Sequence, residues 1–454
     1  MMFAALLNRL TPAQKLALTT VAISTCLVKA AFGFTLPITE FTLANGLQVI
    51  VIEDHRAPIA LHAIGYRVGG ADESPGKTGL AHFFEHLMFK GTAKYPKGSF
   101  DRLMDENGAE RNAFTMQDVT VFHERSDVKL LELMMDLEAD RMQNLALTDP
   151  VFETERKVVQ EERRQQTESN PFAVANEKLD ATLFKVHPYG RPVVGLPADV
   201  ASLTRADAEA FYRSHYMPAN AIVMVVGDVR PDDVRKLAEQ YYGPLKNPGD
   251  LPLRQRPAEP LRASADRLEM QDGRINDPLF IRKYIVPARA SLAPRQAAAF
   301  DVLSVILGGN SESRLEKQLV VGSREAAAAD ANYDGLSVVY GTYQVFAMPS
   351  AGGDVLKLEQ RVDSILQEIV KNGVTEDELT SAKNSTLAKY IYALDNPTGF
   401  AMMIGLAIAM GEERGNIYNE DAEIAAVTRE DVQKAAALVF QNQQHVTIVL
   451  RPKS

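Results

Sequence analysis

The stretch "GLAHFFEHLMFKGT", Gly79 to Thr92, decides how the chain reads. Apolar residues occupy nearly every side of the helix it would form, so that helix is expected to be buried. Yet it carries His82, Glu85 and His86 within five residues. His82 and His86 stand at i and i+4 and therefore share a face. That is the separation two imidazoles need to grip one tetrahedral ion. Glu85 lies three residues past His82 and beside His86, where it can reach a water at such an ion without ligating it. Burying three such groups unpartnered would be costly, and a metal is the economical explanation. The competing reading is a pair of satisfied core histidines beside a surface glutamate. Gly91 is expected to close the helix, with Lys90 in its last turn.

A third ligand is sought further along. In "VFETERKVVQEERRQQ", which begins at Val151, residues Phe152, Glu155, Val159 and Glu162 fall on one helical stripe, with Val158 beside them. Glu161, Arg163 and Arg164 lie off that stripe and suit solvent. A charged surface helix with solvated glutamates is the alternative, and the valines argue against it.

Around these motifs the chain divides in two. Its 454 residues exceed one ordinary domain. The segment "PLKNPGDLPLRQRPAEP", 244–260, has five prolines and no apolar periodicity, and it reads as an exposed, semi-rigid linker. It separates an N-terminal domain, 34–243, from a C-terminal domain, 261–454. The halves resemble each other. "TRADAEAFYRSHYMPANAIVMVV" from Thr204 and "TREDVQKAAALVFQNQQHVTIVL" from Thr428 align without a gap at an offset of 224. Each opens with a Thr-x-x-Asp capping signal, continues as an amphipathic helix and ends in an apolar strand. At an offset of 217, Gly91 meets Gly308, while His82, Glu85 and His86 meet Ala299, Val302 and Leu303. The repeat keeps the apolar helix and lacks the ligands. A hairpin on Asn45-Gly46 within residues 40–54, and helices over 126–144 and 354–373, complete a coarse reading. Strands and helices mix without strict parallel alternation, so each half is expected to be α+β, with helices packed on a largely antiparallel sheet.

Charge and cysteine set outer limits. The formal net charge of −10 disfavours nucleic acid and anionic membrane surfaces as partners. Residues 1–33 hold Arg9, Lys15 and Lys29, no acid, and an apolar run from Leu16 to Gly33. This reads as a secretory signal, with small residues Ala31 and Gly33 before Phe34. Lys29 inside the run leaves a retained membrane anchor as the competing reading. Cleavage would take the net charge from −10 to −13 and remove Cys26, the only cysteine. A disulfide framework and a thiolate metal site are thereby excluded from the mature part. A bacterial periplasmic or exported location is expected, with no stable membrane insertion once the signal is removed.

His-x-x-Glu-His is the inverted zinc motif of the inverzincins. From about Glu40 onward the chain resembles the pitrilysin/insulysin-type metallopeptidases, in the group of mitochondrial processing peptidase and its bacterial relatives. "NAFT" (Asn112 to Thr115), "EADRM" (Glu138 to Met142) and "HPYGRPVVG" (His187 to Gly195) match as well. In that family the third ligand is a glutamate 76 positions after the second histidine, which is Glu162 here. A supporting glutamate stands seven residues earlier, at Glu155. The resemblance implies one Zn²⁺ per chain on His82, His86 and Glu162, and Glu85 as general base in peptide hydrolysis. It also implies that a peptide docks on Asn112, Ala113, Phe114 and Thr115 by β-augmentation. Two-domain units would face each other around a clam-shell chamber that admits small or unfolded peptides. Self-sufficient relatives carry an arginine and, seven residues later, a tyrosine after a Ser-Arg-Leu. Here Ser313-Arg314-Leu315 puts those positions at Val320 and Ala327. Arg324 lacks a tyrosine at the matching spacing, since Ala331 stands there, and Tyr333 is off register. The expectation is a zinc subunit of a heterodimer whose zinc-free partner bears the Arg/Tyr pair. A non-catalytic scaffold subunit and a specific processing peptidase are the alternatives. His55, His62, His123, His215 and His445 show no metal spacing and are expected to be structural or exposed. His187 is expected in a turn.

Overall fold

Asn45-Gly46 turns the first hairpin because Gly46 sits at φ +91°, a conformation that L side chains rarely adopt. The hairpin opens a computed structural model that describes residues 37–453. The expected export segment, with Cys26, lies outside the described residues.

The first half runs β1 Ile38–Thr42, β2 Gln48–Glu53, β3 Ile59–Tyr66, α1 Leu80–Leu87, α2 Ser99–Glu106, β4 Glu110–Thr115 and β5 Thr120–Asp127. It continues α3 Leu131–Asn144, α4 Asp149–Arg163, α5 Pro171–Leu183, α6 Pro197–Ser202, α7 Arg205–His215, β6 Ala221–Gly227 and α8 Pro231–Tyr241. The second half runs β7 Asp266–Asp272, β8 Leu279–Pro287, α9 Pro294–Leu307, β9 Ala326–Asp334, β10 Tyr340–Pro349, α10 Val355–Asn372 and α11 Glu376–Asp395. It ends with α12 Pro397–Ala409, α13 Arg414–Tyr418, α14 Glu420–Ala426, α15 Arg429–Phe440 and β11 His445–Pro452.

Each half builds one mixed sheet, in the orders β1-β2-β6-β3-β5-β4 and β7-β11-β8-β10-β9. Only the β2–β6 and β7–β11 pairs are parallel. The architecture is thus two-domain α+β, as the residue patterns imply. The repeat is visible element by element. Thr204 and Thr428 each close a capping box, with Asp207 and Asp431, and α7 and α15 then lead into β6 and β11.

Both sheets bury both faces, and each half supplies a helix for the other. Phe400, Ala401, Ile404 and Ile408 of α12 pack on Ile50, Ile52, Leu61 and Met224 of the first sheet. A Cβ on Gly405 would fall 1.7 Å from Met224 Sδ, so the Met224 side chain lies directly over this glycine and would have to shift to admit any other residue. In return, Ala175, Leu179 and Leu183 of α5 pack on Ile281, Ile285, Val446 and Ile448 of the second sheet.

Two sequence expectations need correction and a third gains detail. The helix expected from Ser126 begins at Leu131, after a 3₁₀ turn at Val128–Leu130, because Ser126 and Asp127 pair with Ala60 and Ile59 at the end of β5. The stretch 244–260 holds no helix or strand and is largely exposed, in keeping with a semi-rigid segment, and some of its side chains are tied to the first half. Arg254 and Arg256 reach Asp72, and Glu259 accepts from the amides of Lys185, Val186 and His187. Gly91 does not close α1, which stops one turn earlier at Leu87.

Candidate metal and peptidase site

The site begins with the start of α1. Gly79 occupies the N-cap at φ +91°, where a Cβ would lie 2.9 Å from Val194 O. Ahead of it, the Glu73 carboxylate accepts from the Gly79 and Ala81 amides, each at 2.8 Å. A carboxylate at a helix N-terminus satisfies orphan donors and suits the macrodipole. Burial pushes this carboxyl up to about 8 against the pull of those two amides. Sequence reading passed over Glu73. An acid a few residues ahead of the first helical turn was the available signal.

Phe83 and Phe84 anchor the buried face of α1. Phe83 packs on Phe152 of α4 with ring centroids 4.8 Å apart, and Phe84 stacks on Tyr212 of α7 at 5.7 Å. The opposite face, which bears His82, Glu85 and His86, is only partly covered. The helix is therefore not buried all round, as its composition suggested. The Phe83–Phe152 contact also fixes where α4 delivers its glutamates.

His82 Nε2 lies 3.6 Å and His86 Nε2 3.0 Å from Glu162 Oε2. One ligand atom from each of His82, His86 and Glu162 falls within 4.8 Å of the others, the one such group among the described residues. Glu162 Oε2 is buried without a hydrogen-bond partner, although it faces two imidazoles. Its sister oxygen accepts from Gln166 Nε2 at 2.8 Å. Gln166 belongs to a π-helical turn, Arg164–Glu168, that extends α4. An orphaned carboxylate oxygen between two ring nitrogens, on a His₂Glu donor set, fits a zinc ion.

Glu155 backs His86, its Oε1 2.9 Å from Nδ1, and its Oε2 pairs with Lys90 Nζ at 2.8 Å. Lys90 thus serves this pair rather than a helix terminus. Burial disfavours the charged form of His86, yet Glu155, Glu162 and Glu85 outweigh it and hold the imidazole above its usual value. Burial likewise opposes the Glu155 carboxylate, but His86 and Lys90 keep it below the usual range. His82, then His86, hold Glu162 low despite its burial.

Thr115 Oγ1 donates to Glu85 Oε2 at 2.7 Å. Thr115 ends β4, which pairs with β5 alone and forms the open edge of the first sheet. Asn112, Ala113 and Phe114 lie along the same edge, and the Ala113 amide donates to Asn112 Oδ1 at 2.9 Å. On α4, Phe152, Glu155 and Val159 are buried as expected. Val158 is 44% exposed, and Arg163, expected in solvent, is buried. The 193–196 loop and α5 cover it, and it donates to Gly195 O at 2.7 Å and Glu177 Oε1 at 2.8 Å. His187 turns the chain as expected, accepting from the Tyr189 amide. Glu138 and Arg141 of "EADRM" form a fully buried ion pair within α3.

Residues 48–196 match the family described as insulinase (peptidase family M16), and residues 202–386 match the M16 peptidase inactive domain. The chain belongs to peptidase family M16. The zinc protease PqqE of Helicobacter pylori is 28% identical over 419 residues, spanning 90% of this chain and 92% of its own. Subunit beta of the mitochondrial-processing peptidase of Lentinula edodes is 24% identical over 412 residues, spanning 88% and 87%. Among solved structures, a protease from Helicobacter pylori gives a TM-score of 0.86 at 27% identity, covering 92% of this chain and 100% of that one. The first half of the periplasmic protease PqqL from Escherichia coli has the same fold, with a TM-score of 0.77 at 18% identity and 91% coverage of each. This M16 chain is accordingly of the zinc-protease type. Among the described residues, no helix is long and apolar enough to cross a membrane.

Proposed function

We propose that the protein is a zinc endopeptidase of small or unfolded peptides, with His82, His86 and Glu162 holding one Zn²⁺. The observation that carries this reading is the orphaned Glu162 oxygen set between two imidazole nitrogens, beside a Glu85 carboxylate oriented by Thr115. Bound Zn²⁺ supplies Lewis acidity, which brings a water's pKa near 7 and polarises a carbonyl. Glu85 takes the proton of the attacking water and passes it to the leaving amine. Glu155 orients His86 through Nδ1 and holds it in the ligating tautomer. Asn112 to Thr115 receive the peptide as an added strand on the open edge of β4, which reads backbone more than side chains. The test is metal content together with hydrolysis of a quenched peptide. About one zinc per chain is expected, with activity lost on chelation and restored by zinc. Full activity in metal-free protein overturns the assignment, and a zinc-free inert protein favours the scaffold role.

The protein acts as the zinc subunit of an exported, periplasmic heterodimer that closes around a chamber. Support comes from the second half. Val320 lies in a π-helical turn, Glu316–Gly322, packed against the second core, and Ala327 stands on the edge strand β9. Tyr333 is used by the fold, since its hydroxyl donates to Pro287 O at 2.9 Å and its ring packs on Phe300. A zinc-free homologue bearing the Arg/Tyr pair would complete substrate orientation and oxyanion support. The chain alone is expected to bind zinc and cleave poorly, and adding the homologue to raise turnover by orders of magnitude. High activity from this chain alone refutes the heterodimer.

A further inference from the structure

Arg256 stands in the proline-rich segment, yet its side chain is 7% exposed. Its Nη2 lies 2.8 Å from Asp72 Oδ1 and 2.7 Å from Asp118 Oδ1, and its Nη1 donates to Ala71 O at 2.9 Å. Both carboxylates are buried, at 5% and 1% exposure. Arg254 Nη2 also reaches Asp72 Oδ2 at 3.2 Å and donates to Asp118 O, but the Arg256 guanidinium is the one that pairs with both carboxylates, which would otherwise repel each other.

The two aspartates belong to the turns that set up the site. Asp72 precedes Glu73, the cap of α1. Asp118 lies three residues beyond Thr115, which holds Glu85. Backbone already laces the turns, with Gly70 N donating to Met116 O at 3.1 Å and Ala71 N to Gln117 O at 2.8 Å. There is no slack between them, because a Cβ on Gly69 would fall 2.2 Å from Met116 O. The second half closes the junction, where Val338 N donates to Asp118 Oδ2 at 3.2 Å.

We propose that Arg256 is a positioning residue for peptide hydrolysis, its bridge between Asp72 and Asp118 setting the spacing between helix α1 and edge strand β4. The proposal rests on the zinc-endopeptidase reading above. Without the bridge, Arg254 still pairs with Asp72, but the buried Asp118 carboxylate loses its ion-pair partner and the junction between the turns loosens. A peptide still docks along β4, but its carbonyl is displaced from the groups on α1, so turnover suffers more than docking. The segment joining the halves thereby couples the second half to the geometry of the site.

The test compares R256Q, R256K and the double variant R256Q/D118N in the full chain. In metal-free protein, R256Q is expected to speed hydrogen exchange of the Gly70 and Ala71 amides about tenfold or more, with α8 and the second sheet unchanged. R256Q/D118N removes one of the repelling charges and is expected to recover most of the protection, and R256K part of it. With a quenched peptide, R256Q is expected to lower kcat about tenfold while KM stays within about twofold. Zinc content should be unchanged. Unaltered exchange at Gly70 and Ala71 in R256Q, or chain-wide loss of protection that D118N does not relieve, overturns the proposal. The exchange measurement needs neither metal nor turnover. Absence of hydrolysis by the unsubstituted protein therefore strikes the zinc-peptidase reading, and unaltered exchange strikes this one.

Discussion

Five side chains with three tasks converge on one small volume, His82, His86 and Glu162 to ligate, Glu85 to act as base and Glu155 to orient His86, and single substitutions should separate those tasks. Glu85→Gln keeps the shape and the Thr115 hydrogen-bond partner but removes the base. It should retain zinc and lose kcat by about 10²- to 10⁴-fold. Glu162→Gln replaces an anionic donor facing two imidazoles with a weaker neutral one, and metal affinity should fall steeply. Glu155→Gln acts only through His86 Nδ1 and should weaken zinc by about 10- to 100-fold. Metal titration of the three variants checks the order. A Glu85→Gln protein without metal beside a Glu162→Gln protein with it would reverse the roles. His82, His86, Glu85, Glu155 and Glu162 were legible because ligand spacing and helical stripes leave a mark in the sequence. Glu73 and Arg256 were not, since each acts across a turn whose shape no periodicity encodes, whereas Gln166 stands at i+4 from Glu162 and was within reach of helical spacing.

Among elements, α1 shows where sequence patterns stop informing. Its apolar run continues through Phe89, so the helix was expected to reach Gly91, yet it ends at Leu87. The residues beyond are used for tertiary contacts instead, Phe89 against Phe100 and Lys90 against Glu155. The start of α1 is more constrained than its end. Gly79→Ala would place a Cβ against Val194 O in a left-handed conformation. It should cost about 1–2 kcal/mol from backbone strain alone and lower zinc affinity by disturbing the His82 turn. A thermal melt with and without zinc checks both effects. Acid should act through buried imidazoles on β3 and in the 187–190 turn. Burial pushes His62 down to about 4, and burial followed by the Arg256 charge does the same to His187. The unfolded chain takes up these protons near pH 6.5, while the folded chain excludes them until about pH 4. Their contribution is therefore fully present above about pH 6.5 and drains as pH falls toward 4. The metal-free melting temperature should drop across that window, and a flat profile would show that neither imidazole is held neutral.

At the scale of the whole molecule, the duplication was legible and the exchange of helices was not. The offset of 224 between Thr204 and Thr428 reflects local capping and periodicity, which repeat faithfully. That α12 covers the first sheet and α5 the second depends on contacts between residues roughly 100 or more apart in sequence, as between Leu183 and Ile281 or Met224 and Gly405. Each half covers one face of its own sheet and takes the cover of the other face from the opposite half. A chain of residues 34–243 alone would expose Ile50, Ile52, Leu61, Ile222 and Met224 on the face that α12 covers. It would also leave Leu179 and Leu183 of α5 without the second sheet. An apolar patch of that kind is an aggregation surface. The isolated half should bind a hydrophobic dye, melt without cooperativity and fail to hold zinc tightly, although it contains every proposed ligand. Co-expression with residues 244–454 should restore a single cooperative transition and metal binding, because the missing covers return in trans. A monomeric, cooperatively melting 34–243 fragment with full zinc affinity would show that the exchanged helices are accessories rather than parts of both cores.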